Sequence, residues 1–207
     1  MKITYLGHAS FLIESKDGDV VFDPYRDSSV PGLVFPKDIS ADICLCSHEH
    51  FDHNAREYVQ IKSDPKRITF KSYLIPHDKD DGAKRGMNRI QQVFLEGKNI
   101  VHLGDTGIVY KKILSNVVGC DVLFVPITGF FTIDSIEAKE IFDFVKPRVI
   151  IPMHYEIKER GCGYPDSNQI DTFERMFKYI LKVKKSYIEY DEIPDNIECL
   201  VFDDFRQ

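Results

Sequence analysis

The sequence lacks an uninterrupted apolar run of about 18 residues, the length that a transmembrane helix requires. Residues 1–15 also lack the basic start, the long apolar core and the small-residue cleavage site of a signal peptide. Basic residues are not in surplus, because 27 Lys and Arg stand against 33 Asp and Glu. The resulting net charge of -6 argues against general binding to nucleic acids. We therefore expect a cytoplasmic protein that binds neither membranes nor nucleic acids.

Cysteine is scarce, and its five residues are an odd number without an evident disulfide framework. This favours a reducing compartment. Cys46 stands two residues before His48, so its thiolate is an alternative metal ligand. Because the apolar run 43–46 indicates a buried strand, in which cysteine behaves as a small apolar residue, we expect Cys46 in the core.

Histidine is concentrated in one stretch directly after that apolar run. His48, His50 and His53 lie with Asp52 within six residues. In an extended backbone alternate side chains share a face, so His48, His50 and Asp52 can converge while His53 projects elsewhere. That geometry suits two neighbouring cations better than one, and imidazole with carboxylate commonly ligates zinc, iron or manganese. The alternative is a polar surface loop that happens to be rich in histidine.

Alternating apolar residues and intervening turn residues predict a β-rich chain. It opens with an antiparallel β-meander at residues 3–7, 10–14 and 19–23, followed by a long loop at 25–41. Further strands are predicted at residues 42–46, 68–76, 89–94, 100–103, 122–126, 149–152, 187–190 and 199–202. No Ser/Gly-rich linker divides the chain, so we expect one α/β domain over residues 1–207.

Helices are predicted at four places. Asn54 can cap a helix at the histidine cluster, with Glu57 three positions on, and its dipole would favour a bound anion there. Asp134 with Glu137 indicates a second capped helix. Apolar residues at helical spacing predict further helices over residues 110–117 and 170–181.

Three more polar residues each follow the end of a predicted strand, where α/β proteins commonly place their sites. They are His77, Asp105 and His154. Taken singly, each also fits a structural role: a loop histidine, a turn aspartate beside Gly104, and a capped strand end.

The ordered motifs HxHxDH, a distant His, LGD and IPMHY resemble the metallo-β-lactamase superfamily. The front motifs GHAS at residues 7–10 and DPY at 23–25 are similar to the branch that contains L-ascorbate-6-phosphate lactonase. The resemblance implies an αββα sandwich of the metallo-β-lactamase type with two divalent metal ions, zinc in the first place and manganese or iron as alternatives. One metal would be held by His48, His50 and His77, the other by Asp52, His53 and His154, with Asp105 bridging them.

The same resemblance implies a hydrolase of a small, anionic ester, lactone or phosphoester. A metal-bridging hydroxide would be the nucleophile, because metal coordination lowers the pKa of water to about 7. Asp52 is the candidate to orient that hydroxide or to shuttle its proton. The alternatives are a di-iron redox enzyme of the same fold and a metal-binding regulator without turnover. No glycine motif for a flavin or nucleotide is visible to support the redox alternative.

Further residues have weaker predicted roles around this site. Asp23 can orient a ligand histidine, His8 fits either the site rim or the core, and His102 is expected in the core or behind the ligands. The loop 78–89 either recognises an anion or is a solvated surface loop. The cations that could bind the anion are Lys79, Lys84, Arg85 and Arg89. Loop aromatics could line a substrate pocket or a contact between subunits of a homo-oligomer; they are Tyr25, Phe130, Phe131, Tyr155 and Tyr164.

Overall fold

Two β-sheets form the core of the computed structural model, which describes residues 1–157, 160–164 and 169–206. The smaller sheet has five strands in the order β13-β1-β2-β3-β5. Its first three strands along the chain form the predicted antiparallel meander. The strands are β1 (Lys2–Gly7), β2 (Ser10–Glu14), β3 (Val20–Phe22), β5 (Ile43–Leu45) and β13 (Tyr187–Glu189).

The larger sheet has seven strands in the order β12-β14-β11-β10-β9-β8-β7. Strand β8 is antiparallel to both of its neighbours, whereas the pairs from β9 to β12 are parallel. The strands are β7 (Phe70–Pro76), β8 (Met87–Leu95), β9 (Lys98–His102), β10 (Val122–Pro126), β11 (Val149–Met153), β12 (Ile180–Val183) and β14 (Cys199–Phe202).

The two sheets pack face to face through aromatic side chains. Phe11 of the smaller sheet lies 4.1 Å from Phe124 of the larger sheet, measured between ring centroids. The Phe22 ring stacks on the imidazole of His102 at 5.0 Å. Fully burying one such side chain contributes about 1.5–3 kcal/mol, so these rings fix how the sheets lie on each other. The result is the predicted two-sheet α/β core.

Among the described residues, three short α-helices connect the strands, and they are α1 (Lys111–Leu114), α2 (Ser135–Val145) and α3 (Ile170–Glu174). Helix α2 packs against β10 and buries Ala138 and Ile141. Its capping box is the predicted one: Asp134 accepts from two helix amides, and Glu137 accepts from the Asp134 amide. Within the described ranges, no helix is long and apolar enough to cross a membrane.

The helix predicted after Asn54 is wrong. The segment instead forms a three-residue 3-10 helix, Arg56–Tyr58, and then the short strand β6 (Gln60–Ile61), which pairs with β4 (Ser40–Ala41). The Asn54 side chain donates to the carbonyl of Glu49 and caps no helix. Backbone pairing with a distant segment therefore overrides the local capping pattern, and the predicted dipole of a helix starting at Asn54 is missing.

Two other helical predictions are too long. The predicted helix over residues 170–181 ends at Glu174, because Ile180 and its successors pair with β14 in strand β12. The helix predicted over residues 110–117 is split into α1 and the 3-10 helix Ser115–Val117. Apolar spacing alone does not distinguish a continuous helix from a helix that ends in a strand, as at residues 180–183, or from one that tightens into a 3-10 turn, as at 115–117.

Candidate metal centre

The candidate site residues all follow the carboxyl ends of strands that meet at one edge of the two sheets. Strands β1, β3 and β5 run in one direction in the smaller sheet, and β7, β9 and β11 share a direction in the larger sheet. These strands are followed in turn by His8, Asp23, the cluster His48 to His53, His77, Asp105 and His154. All seven histidines of the chain thus lie at or beside this edge.

Three of these residues have a left-handed backbone that is unfavourable for any residue with a Cβ. The φ angles are 56° at His8, 43° at Asp23 and 64° at His154. The amide of His154 donates to the carbonyl of His8 at 2.9 Å, which joins the edges of the two sheets. Such strained residues cost about 1–3 kcal/mol each and cluster at functional sites.

Asp105 lies at the centre of the group and is buried. Its Oδ2 lies 3.2 Å from His53 Nε2, 3.4 Å from His77 Nε2 and 3.5 Å from His154 Nε2. One carboxylate oxygen is therefore close to histidines from three separate strand ends. This is the position that the sequence predicted for Asp105, between the two ligand sets.

The remaining groups form two sets that meet at Asp105, because His48, His53 and Asp105 also lie within 4.8 Å of one another. In each set, one potential ligand atom per residue lies within 4.8 Å of all the others. The first set is the predicted one and contains His48, His50 and His77. The second set contains the predicted Asp52, His53 and His154 together with His8.

The inclusion of His8 goes beyond the prediction, which left its role open between the site rim and the core. His8 Nε2 lies 3.3 Å from Asp52 Oδ2, and the His8 ring lies 3.9 Å from the His154 ring between centroids. The sequence signal for His8 is a histidine directly after the end of strand β1, the same placement that indicated His77 and His154.

Three of the histidine rings are held from behind by bonds to Nδ1, and the Nε2 of one of them, His48, contacts His50 Nδ1 at 2.9 Å. His53 Nδ1 bonds to Asp23 at 2.8 Å, His48 Nδ1 to Ser47 Oγ at 2.9 Å, and His77 Nδ1 to the carbonyl of Phe131 at 3.1 Å. Among the described residues, the buried Nε2 atoms of His53 and His77 make no well-formed hydrogen bond. Oriented imidazoles with unsatisfied inward nitrogens fit a metal centre.

Asp23 is the principal group behind the ligands, as predicted. Its side chain is fully buried and accepts bonds from the amide and the hydroxyl of Ser47, each at 2.6 Å, besides the bond to His53. Burial would raise the pKa of Asp23, but the nearby His102 and His53 lower it, so the carboxylate stays ionised. His102 is buried within β9, bonds to the carbonyl of Ala9 and lies 3.9 Å from Asp23 Oδ2, so it is both in the core and behind the candidate ligands.

Sequence reasoning missed the role of Asn88. This buried side chain accepts from the amide of Asp105 at 3.0 Å and donates to the carbonyl of Leu103 at 2.7 Å. It therefore holds the turn that presents Asp105. The prediction placed Asn88 in a loop, because residues 87 and 88 lack the apolar alternation that marked the rest of β8.

Cys46 is buried, as expected, and belongs to none of the converging sets found among the described residues.

The electrostatics of the group favour a bound cation. Burial and the neighbouring His53 lower the pKa of His48 to about 3, and burial with His154 lowers the pKa of His8 to about 4. Burial opposes a charge on His53, but Asp105 and Asp52 raise its pKa above the usual value. Burial would raise the pKa of Asp105, yet His53 and His154 keep it low. His48 and His8 are thus neutral, as metal ligation requires, whereas His53 is held protonated by its carboxylate neighbours and would lose that proton to a bound cation.

The four predicted cations of the loop beyond His77 have different surroundings. Lys79 pairs with Glu137 and Lys84 with Asp80, while Arg85 lies over the ring of Phe131. The Arg89 side chain is exposed. Of the predicted aromatic residues, Tyr25 and Tyr155 are buried, Phe130 is exposed, and Tyr164 stacks near His154 with 6.1 Å between ring centroids.

Comparison with known families agrees with this architecture. The model of the beta-lactamase superfamily domain matches residues 2–154, which include every candidate ligand. The chain therefore belongs to the beta-lactamase superfamily.

Within the superfamily, the chain is similar to the UPF0173 proteins. It is 33% identical over 195 residues to a UPF0173 metal-dependent hydrolase of Carboxydothermus hydrogenoformans, and the match covers 75% of this chain and 84% of that protein. It is 31% identical over 182 residues to a UPF0173 protein of Pyrococcus furiosus, with 75% and 83% covered. Membership of the lactonase branch suggested by the front motifs stays a prediction.

A solved structure of similar fold is that of a metallo-beta-lactamase superfamily protein from Thermotoga maritima. It has a TM-score of 0.76 and 29% identity, and the match covers 97% of each chain. A metallo hydrolase from Ignicoccus hospitalis has a TM-score of 0.58 at 20% identity, covering 84% of this chain and 89% of that one, and shows the shared fold alone.

Proposed function

We propose that the protein is a metal-dependent hydrolase that holds two divalent cations at the edge of its sheets. The observation that carries this proposal is the arrangement of two ligand sets around the carboxylate of Asp105. We assign His48, His50 and His77 to one cation and Asp52, His53 and His154 to the other, with Asp105 shared. Zinc is our first choice because imidazole and carboxylate suit it, and manganese and iron are the alternatives.

Bound divalent cations would supply water that ionises near neutral pH and would polarise the carbonyl or phosphoryl oxygen under attack. The protein's own part begins with orientation. Asp23, Ser47 and the Phe131 carbonyl hold the rings of His53, His48 and His77 in place. Substrates that this chemistry suits are small esters, lactones and phosphoesters.

Asp52 is our candidate for moving a proton during the reaction. Its side chain is 19% exposed, compared with 4% for Asp105, so it is the site carboxylate that solvent reaches more readily. Burial would raise the pKa of Asp52, but His53 and the nearby His8 ring lower it, so its carboxylate stays ionised. An Asp52→Asn variant that kept both its metal content and its turnover would refute this role.

The names of the relatives support the proposal. The Carboxydothermus relative is described as a metal-dependent hydrolase, and the Thermotoga structure as a candidate zinc-dependent hydrolase. A cytoplasmic location is part of the proposal, because all five thiols are free and free thiols are typical of reducing compartments.

Metal analysis of protein purified without added metal, followed by turnover assays, tests the proposal. We expect about two equivalents of divalent metal per chain and hydrolysis within a panel of lactones, nitrophenyl esters and phosphodiesters. Absence of turnover in the zinc, manganese and iron forms would refute the hydrolase function. Iron-dependent visible absorbance with oxygen consumption would instead indicate the redox alternative.

The shared role of Asp105 has its own test. Replacing Asp105 with Asn should weaken the binding of both cations together, because its carboxylate lies between the two sets. Asp143→Asn is the matched control, since Asp143 lies on the exposed side of α2 and pairs with Lys139. Loss of a single equivalent of metal in the Asp105 variant would contradict the bridging assignment.

A further inference from the structure

Arg85 lies between two surface cavities beside the candidate metal centre. One cavity of about 390 Å³ is lined by the loop around Asp78 and by the segment around Phe131. The other, of about 350 Å³, is lined by His48 and His50 of the first ligand set. Arg85 lines both of them. A small molecule in contact with the first ligand set would therefore have Arg85 as a neighbour.

The backbone at Arg85 is fixed by the carboxylate of Asp78. Asp78 Oδ2 accepts from the amides of Arg85 at 2.7 Å and Lys84 at 3.1 Å, and Oδ1 accepts from those of Asp80 at 2.8 Å and Gly82 at 3.1 Å. Four amides thus surround one carboxylate, which directly follows His77 in the chain. The loop is an ordered turn anchored to a candidate ligand, and a freely solvated loop would show no such organisation.

The guanidinium of Arg85 is held by Phe131. Its Cζ lies 3.3 Å from the centroid of the Phe131 ring, which is a close stacking contact. The carbonyl of the same phenylalanine bonds to His77 Nδ1. Phe131 therefore contacts Arg85 with its ring and the candidate ligand His77 with its backbone carbonyl. A guanidinium carries its N–H groups at its edges, so a contact between its central carbon and a ring leaves those groups available for a ligand.

Arg85 also differs from the other cations of the first cavity in having no ionic partner. Lys79 Nζ lies 2.7 Å from Glu137, and Lys84 pairs with Asp80. Across residues 1–157, 160–164 and 169–206, no carboxylate forms an ion pair with Arg85, which is only partly exposed. A stacked, half-buried guanidinium without a counter-ion is suited to an incoming anion.

We propose that Arg85 is a specificity-determining residue that binds a carboxylate or phosphoryl group of the substrate, while the scissile bond lies at the metal centre. This inference rests on the proposed hydrolase function, because it names the substrate class of that same site. The paired N–H groups of Arg85 would donate to two oxygens of one anionic group, and Phe131 would hold their orientation.

Binding of non-hydrolysable anions tests the inference independently of turnover. Calorimetric titration of the metal-containing protein with benzoate and with phenylphosphonate gives the dissociation constant for each anion. We expect Arg85→Gln to raise the dissociation constant of the preferred anion by about 10- to 100-fold, the range for hydrogen bonds to charged groups. The dissociation constant for Arg85→Lys should lie between those of the unmodified protein and Arg85→Gln, because lysine keeps the charge and loses the planar pair of donors.

Lys79→Gln is the matched control, since Lys79 lines the same cavity and already has Glu137 as its partner. It should leave the dissociation constants within about 3-fold of those of the unmodified protein. The tighter of the two probes identifies carboxylate or phosphoryl as the preferred group. No binding of either probe, or equal weakening in the Arg85 and Lys79 variants, would overturn the inference.

A kinetic comparison separates this inference from the proposed function. For a nitrophenyl ester with a terminal carboxylate, Arg85→Gln should lower kcat/KM by about 10- to 100-fold, and for its uncharged isostere by less than about 3-fold. Equal losses on both esters would refute the role of Arg85 and leave the hydrolase function intact. Anion binding that depends on Arg85 in a protein without any turnover would refute the hydrolase function alone.

Discussion

Replacing Asp23 with Asn exchanges one carboxylate oxygen for an NH2 group, and the hydrogen bonds of Asp23 show how this affects the candidate ligand His53. Asp23 Oδ1 accepts from the amide of Ser47 at 2.6 Å, and an amide nitrogen can only donate. The side-chain oxygen of Asn must therefore stay at that position. Its NH2 group then takes the place of Oδ2, which now accepts from His53 Nδ1 at 2.8 Å.

Two donors would then face each other unless His53 changes its tautomer. With the proton moved to Nε2, the nitrogen that faces Asp105 at 3.2 Å would no longer have a lone pair for a cation. Loss of one charge-assisted hydrogen bond costs about 1.5–3 kcal/mol. We therefore expect cation affinity in the second ligand set to fall by about 10- to 100-fold.

The assay is chelator competition for the metal, combined with 15N NMR of the imidazole to report the tautomer of His53. Asp42→Asn is the matched control, because Asp42 is a buried, hydrogen-bonded carboxylate at the opposite end of strand β5. That variant should lose stability without losing metal affinity. The reasoning would be refuted if Asp23→Asn bound both equivalents as tightly as the original protein, with His53 still protonated at Nδ1.

Three further predictions concern stability. Burial would raise the pKa of Asp42, but bonds from Lys62 and from backbone amides lower it to about 2. Asp42 therefore contributes about 2 kcal/mol to the free energy of unfolding above about pH 4, and this contribution is lost as the pH falls towards 2. Asp42→Asn should accordingly reduce the loss of stability at acidic pH, measured by urea unfolding at a series of pH values. Gly104→Ala should cost about 1–3 kcal/mol in denaturant unfolding, since a Cβ there would lie 2.4 Å from Ser47 Cβ at a φ of +54°, and an unchanged midpoint would contradict this. Asp134→Ala should lower the stability by about 1 kcal/mol through loss of the α2 cap, whereas Asp143→Ala should have less than half that effect.

Much of the candidate site was predictable because its signals are local. Each ligand follows a strand that the apolar pattern reveals, and a strand end is where an α/β fold presents side chains. The position of Asp23 after a strand also predicted its contact with a ligand histidine, and the bond to His53 confirms it. His8 has the same placement after β1, yet its type and position alone left the core as an equal alternative.

The wrong predictions have a common physical cause. Asn54 and Glu57 have the spacing of a capping box, but Gln60 and Ile61 pair with β4, and Glu57 forms an ion pair with Arg26. Residues 180–183 continue a helical apolar pattern and still join β14 in the sheet. In both segments, pairing with residues far away in the chain stabilises the backbone more than the local preference does, and such partners are invisible to a local pattern.

The loop 78–89 was ambiguous for the same reason. Its composition is nearly balanced in charge, so the sequence does not tell which cations are neutralised. In the folded chain Lys79 and Lys84 have carboxylate partners, and Arg85 has an aromatic one. Glu137 and Phe131 come from segments about 50 residues away, so the folded chain alone could assign these partners.

The sequence by itself determined the kind of chemistry at this site, because residue type sets what can ligate a cation and strand ends set where those residues appear. Together with the family resemblance of its motifs, it indicated the candidate ligands His48, His50, His77 and Asp105 and their shared edge. The tertiary structure decided which nitrogen of a histidine faces inward, that His8 joins the second set, and that Arg85 lies over Phe131 without an ion pair to any described carboxylate. Those properties depend on distances between segments remote in the chain, and such distances exist only once the two sheets have packed together.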